Sequence, residues 1–240
     1  MDKNKMYEVY TDYLIEVNSH TNLTTITNPE EIKIKHFEDS LSVISYINEG
    51  DKVLDIGAGA GFPGIPLRIE KYFDLTLIDS VNKKVKFMNE VIKKLDLKDT
   101  RAVHTRAEDF AKENRESYDV VVSRAVANMS TLSELCIPFL KTGGIFIALK
   151  GPKADKELED AQNAINILGG KVKKIDRFEI DDNDRVNIIV EKVHPSKKIY
   201  PRSKNQPKKY ISSYYDFCIG YRSSIFYNFI CDIWKCYGGK

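Results

Sequence analysis

The chain predicts an α/β protein: a doubly wound, mostly parallel sheet of seven strands, preceded by helices and closed by an antiparallel hairpin. Three observations carry this. Short apolar runs bounded by glycine or charge recur from Lys52 onward, and helical stretches lie between the earlier ones. The last two runs are separated only by the turn-prone Asp181, Asp182, Asn183 and Asp184, too little chain for a crossover.

Taken in order, residues 6 to 17 set Met6, Tyr10, Tyr13, Leu14 and Val17 at the spacing of one helical face. Asn28 followed by Pro29 reads as a cap and first turn, after which Ile34, Phe37, Leu41 and Ile44 form a second stripe. Strands are expected at 52–56, 75–79, 101–105, 118–123 and 144–150. A helix over 81–95 gathers Val85, Met88, Ile92 and Leu95 on one side, and another over 132–140 takes Cys136 as apolar filler. The runs 172–180 and 185–193 make the hairpin. The expected organisation is a helical cap (1–50), the sheet domain (51–193), a basic tail (194–210) and an atypical extension (211–240).

At 240 residues, 42% hydrophobic and 30% charged, the chain is an ordinary globular one and neither disordered nor collagen-like. It has no apolar run of the ~18 residues needed to span a bilayer, and its N-terminus lacks the apolar core of a secretory signal, so a cytoplasmic location is expected. A net charge of +2 announces no nucleic-acid partner by itself. Locally, Lys192 to Lys209 holds seven basic residues and no acid. The four cysteines show no CxxC pair and no zinc spacing, so no metal is expected. Without heptads there is no reason to expect a coiled-coil dimer, and a monomer is the expectation.

The most informative segment is Val53-Leu54-Asp55-Ile56-Gly57-Ala58-Gly59-Ala60-Gly61-Phe62-Pro63-Gly64. It follows a predicted strand and leads into a helix, where glycines let backbone amides approach a ligand. Gly59 to Gly64 satisfies G-x-G-x-x-G, so a dinucleotide site and a nicotinamide-dependent oxidoreductase have to be considered. Asp55 at the strand end points elsewhere: a carboxylate there repels a pyrophosphate but can organise the loop around a cationic or amino-acid ligand. The D-x-G-x-G-x-G pattern is that of S-adenosylmethionine sites, and Asp79, ending the next strand, can accept from both ribose hydroxyls. The plainer alternative is a tight turn with Asp79 capping the following helix.

Methylation of an exocyclic amine commonly uses an Asn/Asp-Pro-Pro-aromatic loop after the fourth strand; here that loop reads Ser123-Arg124-Ala125-Val126-Ala127-Asn128. Carbon methylation of a pyrimidine requires a cysteine nucleophile beside the same loops, which Cys136 does not supply. An in-plane purine nitrogen such as guanine N7 already has a free lone pair and needs alignment rather than a base.

Lys35-His36-Phe37-Glu38-Asp39-Ser40-Leu41, the Gly-Phe-Pro-Gly-Ile-Pro core of Val53–Leu67, Asp79-Ser80, Arg106-Ala107-Glu108, Ser123-Arg124-Ala125 and Ala148-Leu149-Lys150-Gly151 together resemble the RsmG family, also called glucose-inhibited division protein B (GidB). These are bacterial methyltransferases of guanine N7 in 16S rRNA. The resemblance implies a class I S-adenosylmethionine methyltransferase fold, S-adenosyl-L-methionine as cofactor and the small ribosomal subunit or its precursor as partner. It implies that Gly57 and Phe62 line the cofactor's methionine and ribose side, that Ala107 and Glu108 meet the adenine, and that Arg124 closes the site; Asp55, Gly59, Gly61 and Asp79 complete the expected cofactor-binding set from the D-x-G-x-G-x-G pattern and the strand-end acid. Arg106, Arg124 and Lys150 match basic positions used on RNA or at the reaction centre; Arg124 and Lys150 are assigned to substrate positioning, and Lys197, Lys198 and Arg202 of the basic segment join Arg106 and Lys150 as expected RNA contacts. His36 reads as a structural or RNA-contacting residue rather than a base.

Two features depart from the family. The N-terminus is short, and the chain continues beyond the basic tail through Ile211–Lys240, with nine aromatics and three cysteines, to which no function is assigned. A non-catalytic RNA-binding module on the same fold stays open beside the two enzyme readings.

Overall fold

The computed structural model describes residues 1–124, 127–203 and 207. The extension 211–240 and part of the post-strand loop, Ala125 and Val126, lie outside the described residues. Helix α1 runs Lys3–Thr21, capped by Asp2, whose side chain accepts from the Lys5 N–H. Asn28 accepts from the N–H groups of Glu30 and Glu31 and opens α2, Pro29–Ile32, as the Asn-Pro pair predicts. One π-helical turn, Lys33–Glu38, then leads into α3, Asp39–Leu41. The wider turn breaks the expected 3-and-4 stripe. Phe37 is buried, but beside it lie His36, Asp39 and Ser40 rather than Ile34, so polar groups face inward.

The sheet strands are β1 Lys52–Ile56, β2 Asp74–Asp79, β3 Thr100–His104, β4 Tyr118–Arg124, β5 Leu140–Lys150, β6 Gly170–Ile180 and β7 Asn183–Lys192. Their order is β3-β2-β1-β4-β5-β7-β6. The first five are mutually parallel, and β7 is antiparallel to both β5 and β6. Between them lie α4 Gly64–Glu70, α5 Asn82–Lys94, α6 Ala107–Asn114, α7 Met129–Cys136 and α8 Ala154–Ile167. The strand order reverses at β1 and β4, so the loops after these strands open a crevice at their carboxyl ends. The hairpin is tighter than the four turn-prone residues suggest: Ile180 pairs with Asn183, leaving only Asp181 and Asp182, at φ of 51° and 58°, in the turn. Two residues at positive φ suit the right-handed twist of the flanking strands, so Asn183 and Asp184 join the ladder.

One apolar core lies on each face of the sheet. On one side, Tyr10, Leu14, Ile32, Phe37, Val43 and Ile47 from the N-terminal helices pack with Val53, Leu75, Leu77 and Val122. The helices before β1 thus share the sheet's core. On the other side, α7, α8 and the chain after β7, through Tyr200, cover Leu54, Val121, Phe146 and Ile188.

Candidate active site

A cleft of about 420 Å³ opens where β1, β2 and β4 end, a size typical of small-molecule sites. Its walls include Gly57, Gly59 and Phe62 from the glycine loop, Asp79 from β2, Ala107 and Glu108 from the start of α6, and Arg124 from β4. Seven of the predicted cofactor residues therefore converge, drawn together by parallel strands that deliver their ends to one edge.

The loop is held by hydrogen bonds to fixed groups. Gly57 and Ala58 donate backbone N–H bonds to the Ile78 carbonyl. Gly59 N–H donates to Asp79 Oδ2 at 3.0 Å, and Val81 N–H to Asp79 Oδ1 at 2.8 Å. Asp79 thus braces the loop and the entry to α5 while facing the cleft, and each oxygen keeps acceptor capacity. Gly61 sits at φ +95°, and a Cβ there would lie 2.5 Å from Ile65 Cδ1 and 2.7 Å from the Tyr10 hydroxyl. Only glycine fits. The Tyr10 hydroxyl, wholly buried, donates to the Ala60 carbonyl and props the loop from behind.

Asp55 and Gly61 are not among the residues that line the cleft, and both act on the loop from behind it. Asp55 is fully buried under the loop and accepts from Gly64 N–H at 2.8 Å, while its Oδ1 has no partner. Burial pushes this carboxyl up to about 7, against the opposing pull of the Gly64 hydrogen bond and the Arg124 charge. It organises the loop, as its strand-end position suggests, but does so through backbone.

The π-turn supplies a floor that sequence periodicity did not show. His36 stacks on Phe62 at 4.5 Å between ring centroids, and the Arg124 guanidinium lies 5.0 Å from the same ring. Arg124 NH1 donates to Asp39 Oδ2 at 2.9 Å, and NH2 to His36 Nδ1 at 3.1 Å. Because a guanidinium only donates, Nδ1 must carry the lone pair; Nε2 then holds the proton, which it donates to Thr24 Oγ1 at 2.9 Å. Burial first, and the Arg124 charge second, bring His36 down to about 4. Asp39 also accepts from Arg185 Nε at 3.2 Å, so one buried carboxylate lies between two guanidinium groups. Asp39, Thr24 and Arg185 were missed by the reading of individual sites. The only signal of the first was its place in the Lys35–Leu41 motif.

The basic positions divide. Arg106 stands at the cleft rim, half-exposed, with NH2 2.9 Å from Glu108 Oε1. Lys197 and Lys198 are exposed. Lys150 and Arg202 are not on the RNA-accessible surface: Lys150 Nζ is buried between the Ala127 carbonyl (2.6 Å) and Glu157 (2.7 Å), and Arg202 is buried in a two-pronged pair with Glu134. Burying an unpaired cation is costly, so both charges are committed internally. Cys136 is fully buried, and burial raises its thiol well above the usual range, in keeping with apolar filler.

This sheet order, with a glycine loop after β1 and an acid ending β2, defines the class I methyltransferase architecture. Solved structures agree on the fold. TYW2 of M. jannaschii, a complex with AdoMet, superposes with a TM-score of 0.56 at 19% identity, over 66% of this chain and 76% of that one. The [4+2]-cyclase SpnF superposes at 0.53 and 13%, over 66% and 81%, so the architecture alone does not fix the reaction. Sequence does so more narrowly. The family model for rRNA small subunit methyltransferase G matches residues 3–186. Proteins of that name from Lachnoclostridium phytofermentans and Staphylococcus carnosus are 50% and 45% identical, over 87% of this chain and 91% and 90% of theirs. The chain belongs to the rRNA small subunit methyltransferase G family and is a methyltransferase.

Proposed function

We propose that the chain transfers a methyl group from S-adenosylmethionine to N7 of a guanine in 16S rRNA, within the small ribosomal subunit or its precursor. The donor set of the cleft fits the cofactor. Asp79 would take the ribose hydroxyls on the acceptor capacity its two N–H bonds leave. Glu108 and the first N–H groups of α6 would meet the adenine amine and ring nitrogens, with Ile56, Ala58, Ile78 and Leu135 as apolar walls. When bound, the cofactor supplies an electrophilic methyl group on a cationic sulfur.

The single observation that carries the N7 reading is the engagement of His36. Both of its ring nitrogens are hydrogen-bonded, to Arg124 and Thr24, and it is neutral at physiological pH, so it is not poised to remove a proton. Guanine N7 has no proton to lose and presents its lone pair in the ring plane. Its methylation asks for alignment and charge balance. Arg124 is suited to both. Its fixed guanidinium can donate to a purine edge, and Asp39 at 2.9 Å, shared with Arg185, offsets part of the charge that would otherwise oppose a cationic N7-methylated product, the RNA phosphates supplying the rest. Lys150 acts one step back, by holding the Ala127 carbonyl of the loop after β4. Exposed Lys197 and Lys198, and Arg106 at the rim, are the proposed phosphate contacts.

The test is incubation of radiolabelled cofactor with undermethylated small subunits, followed by mapping of the labelled base. Label at guanine N7 is expected; label on an exocyclic amine or a ribose overturns the reading.

A further inference from the structure

The described chain after β7, read from its charge as an RNA-binding tail, is tied to the protein at several points. Lys192 Nζ, wholly buried, lies 2.9 Å from Glu116, which also accepts from Ser196 N–H. Ser196 Oγ donates to the Leu168 carbonyl, and Arg115 donates to the carbonyls of Ser196 and Lys197. Tyr200 enters the core under α7. Arg202 then delivers its backbone N–H and two side-chain nitrogens to Glu134 of α7 at 2.8, 2.9 and 2.5 Å, both partners buried. A full guanidinium-carboxylate pair in an apolar core is a costly device that fixes register rather than adding much stability. Pro207 follows this pair in the chain and meets the same helix. Its carbonyl accepts from Thr131 Oγ1 at 3.0 Å, and Pro207 lines the cleft together with Leu135, which lies one turn beyond Thr131 on α7.

We propose that residues 193–203 and Pro207 form a strap over α7, locked by Glu134–Arg202, whose end is an apolar wall of the adenine side of the cofactor cleft. Pro207 is thereby a cofactor-contacting residue, and Thr131, Glu134 and Arg202 are positioning residues that act through it. The proposal rests on the assignment of the cleft to S-adenosylmethionine and adds a wall that the strand-end motifs do not supply. Leu135 lies on α7, which packs against α6, the helix whose first turn carries Ala107 and Glu108; this puts Pro207 at the adenosine end and away from the His36–Arg124 floor. A proline suits the place, since its ring offers a flat apolar face with little rotamer entropy to lose.

The test is calorimetric affinity for S-adenosylhomocysteine and for 5′-methylthioadenosine, which lacks the amino-acid end, using full-length Pro207→Gly and Thr131→Val. Both variants are expected to weaken both ligands by a similar factor, roughly three- to tenfold, the scale of one lost apolar contact or one hydrogen bond. Unaltered affinity in Pro207→Gly and Thr131→Val, with unaltered thermal unfolding, overturns the strap. So does a loss confined to S-adenosylhomocysteine, which would move Pro207 to the methionine end. Failure of the unmodified protein to bind either ligand would instead sink the cofactor assignment. Should Pro207→Gly unfold, Thr131→Val, which keeps the proline and deletes only a hydroxyl, decides alone.

Discussion

Replacing Asp55 by asparagine should change how stability depends on pH more than it changes stability at any one pH. Asp55 and His36 lie under and beside the same loop and titrate in opposite senses. Asp55 is raised from 3.8 to about 7 on folding, so the folded protein holds its proton where the unfolded chain has released it. Its contribution is full below pH 4 and is lost as pH rises through 7, a swing of about 4 kcal/mol at 1.36 kcal/mol per unit. His36 is lowered from 6.5 to about 4, so its contribution is full above 6.5 and is lost as pH falls through 4, a swing of about 3 kcal/mol. In the unmodified chain the two largely cancel between pH 4 and 6.5. Asparagine keeps an oxygen for Gly64 N–H and has no proton to lose. Asp55→Asn should therefore show stability that climbs by about 3 kcal/mol from pH 4 to 6.5, with His36 now unopposed. Urea unfolding at half-unit pH steps reads this directly, and His36→Asn should show the opposite slope. Parallel profiles for Asp55→Asn and the unmodified protein would mean that the buried carboxylate stays ionised, and would refute the reasoning.

Two further substitutions probe the supports of the cleft. Tyr10→Phe leaves the Ala60 carbonyl without its partner inside the core, so thermal unfolding should show a loss of about 1–2 kcal/mol, together with several-fold weaker binding of S-adenosylhomocysteine; a stable variant of unchanged affinity would separate α1 from the loop. Lys150→Met releases the Ala127 carbonyl and Glu157, so kcat should fall by about tenfold or more while affinity for the small subunit stays within about twofold. A loss confined to subunit affinity would return Lys150 to the RNA surface.

Much of the cleft was legible because its residues sit at the ends of strands. A buried parallel strand announces itself by apolar runs, and the residues directly after it must lie at the carboxyl edge; hence Gly57 and Asp79 could be placed from the chain alone, while Glu108 and Arg124 were placed by the family resemblance. Asp55 was read at the right edge and as an organiser of the loop, but its burial beneath the loop was not legible. Strand-end position says nothing about whether a side chain faces the ligand or the backbone that cradles it. Gly61 shows the same limit, since its lack of a side chain makes room for Tyr10 and Ile65 and not for a cofactor.

The basic residues mark where local reading stops. Lys150, Lys192 and Arg202 look like surface charge along the chain, yet each is buried against a carboxylate seven, seventy-six and sixty-eight residues away, and in the Arg202 pair the carboxylate is buried as well. The sequence by itself determined the alternation of strands and helices, the loop that needs glycine, and the acid that ends β2, because these depend on spacing and backbone sterics within a few residues. Tertiary structure alone decided which cations stay in water, that a π-turn would set Asp39 against Arg124, and that the tail would reach the cleft at Pro207. Pairing a buried charge is settled by what lies across the core, and distance in space is not written in distance along the chain.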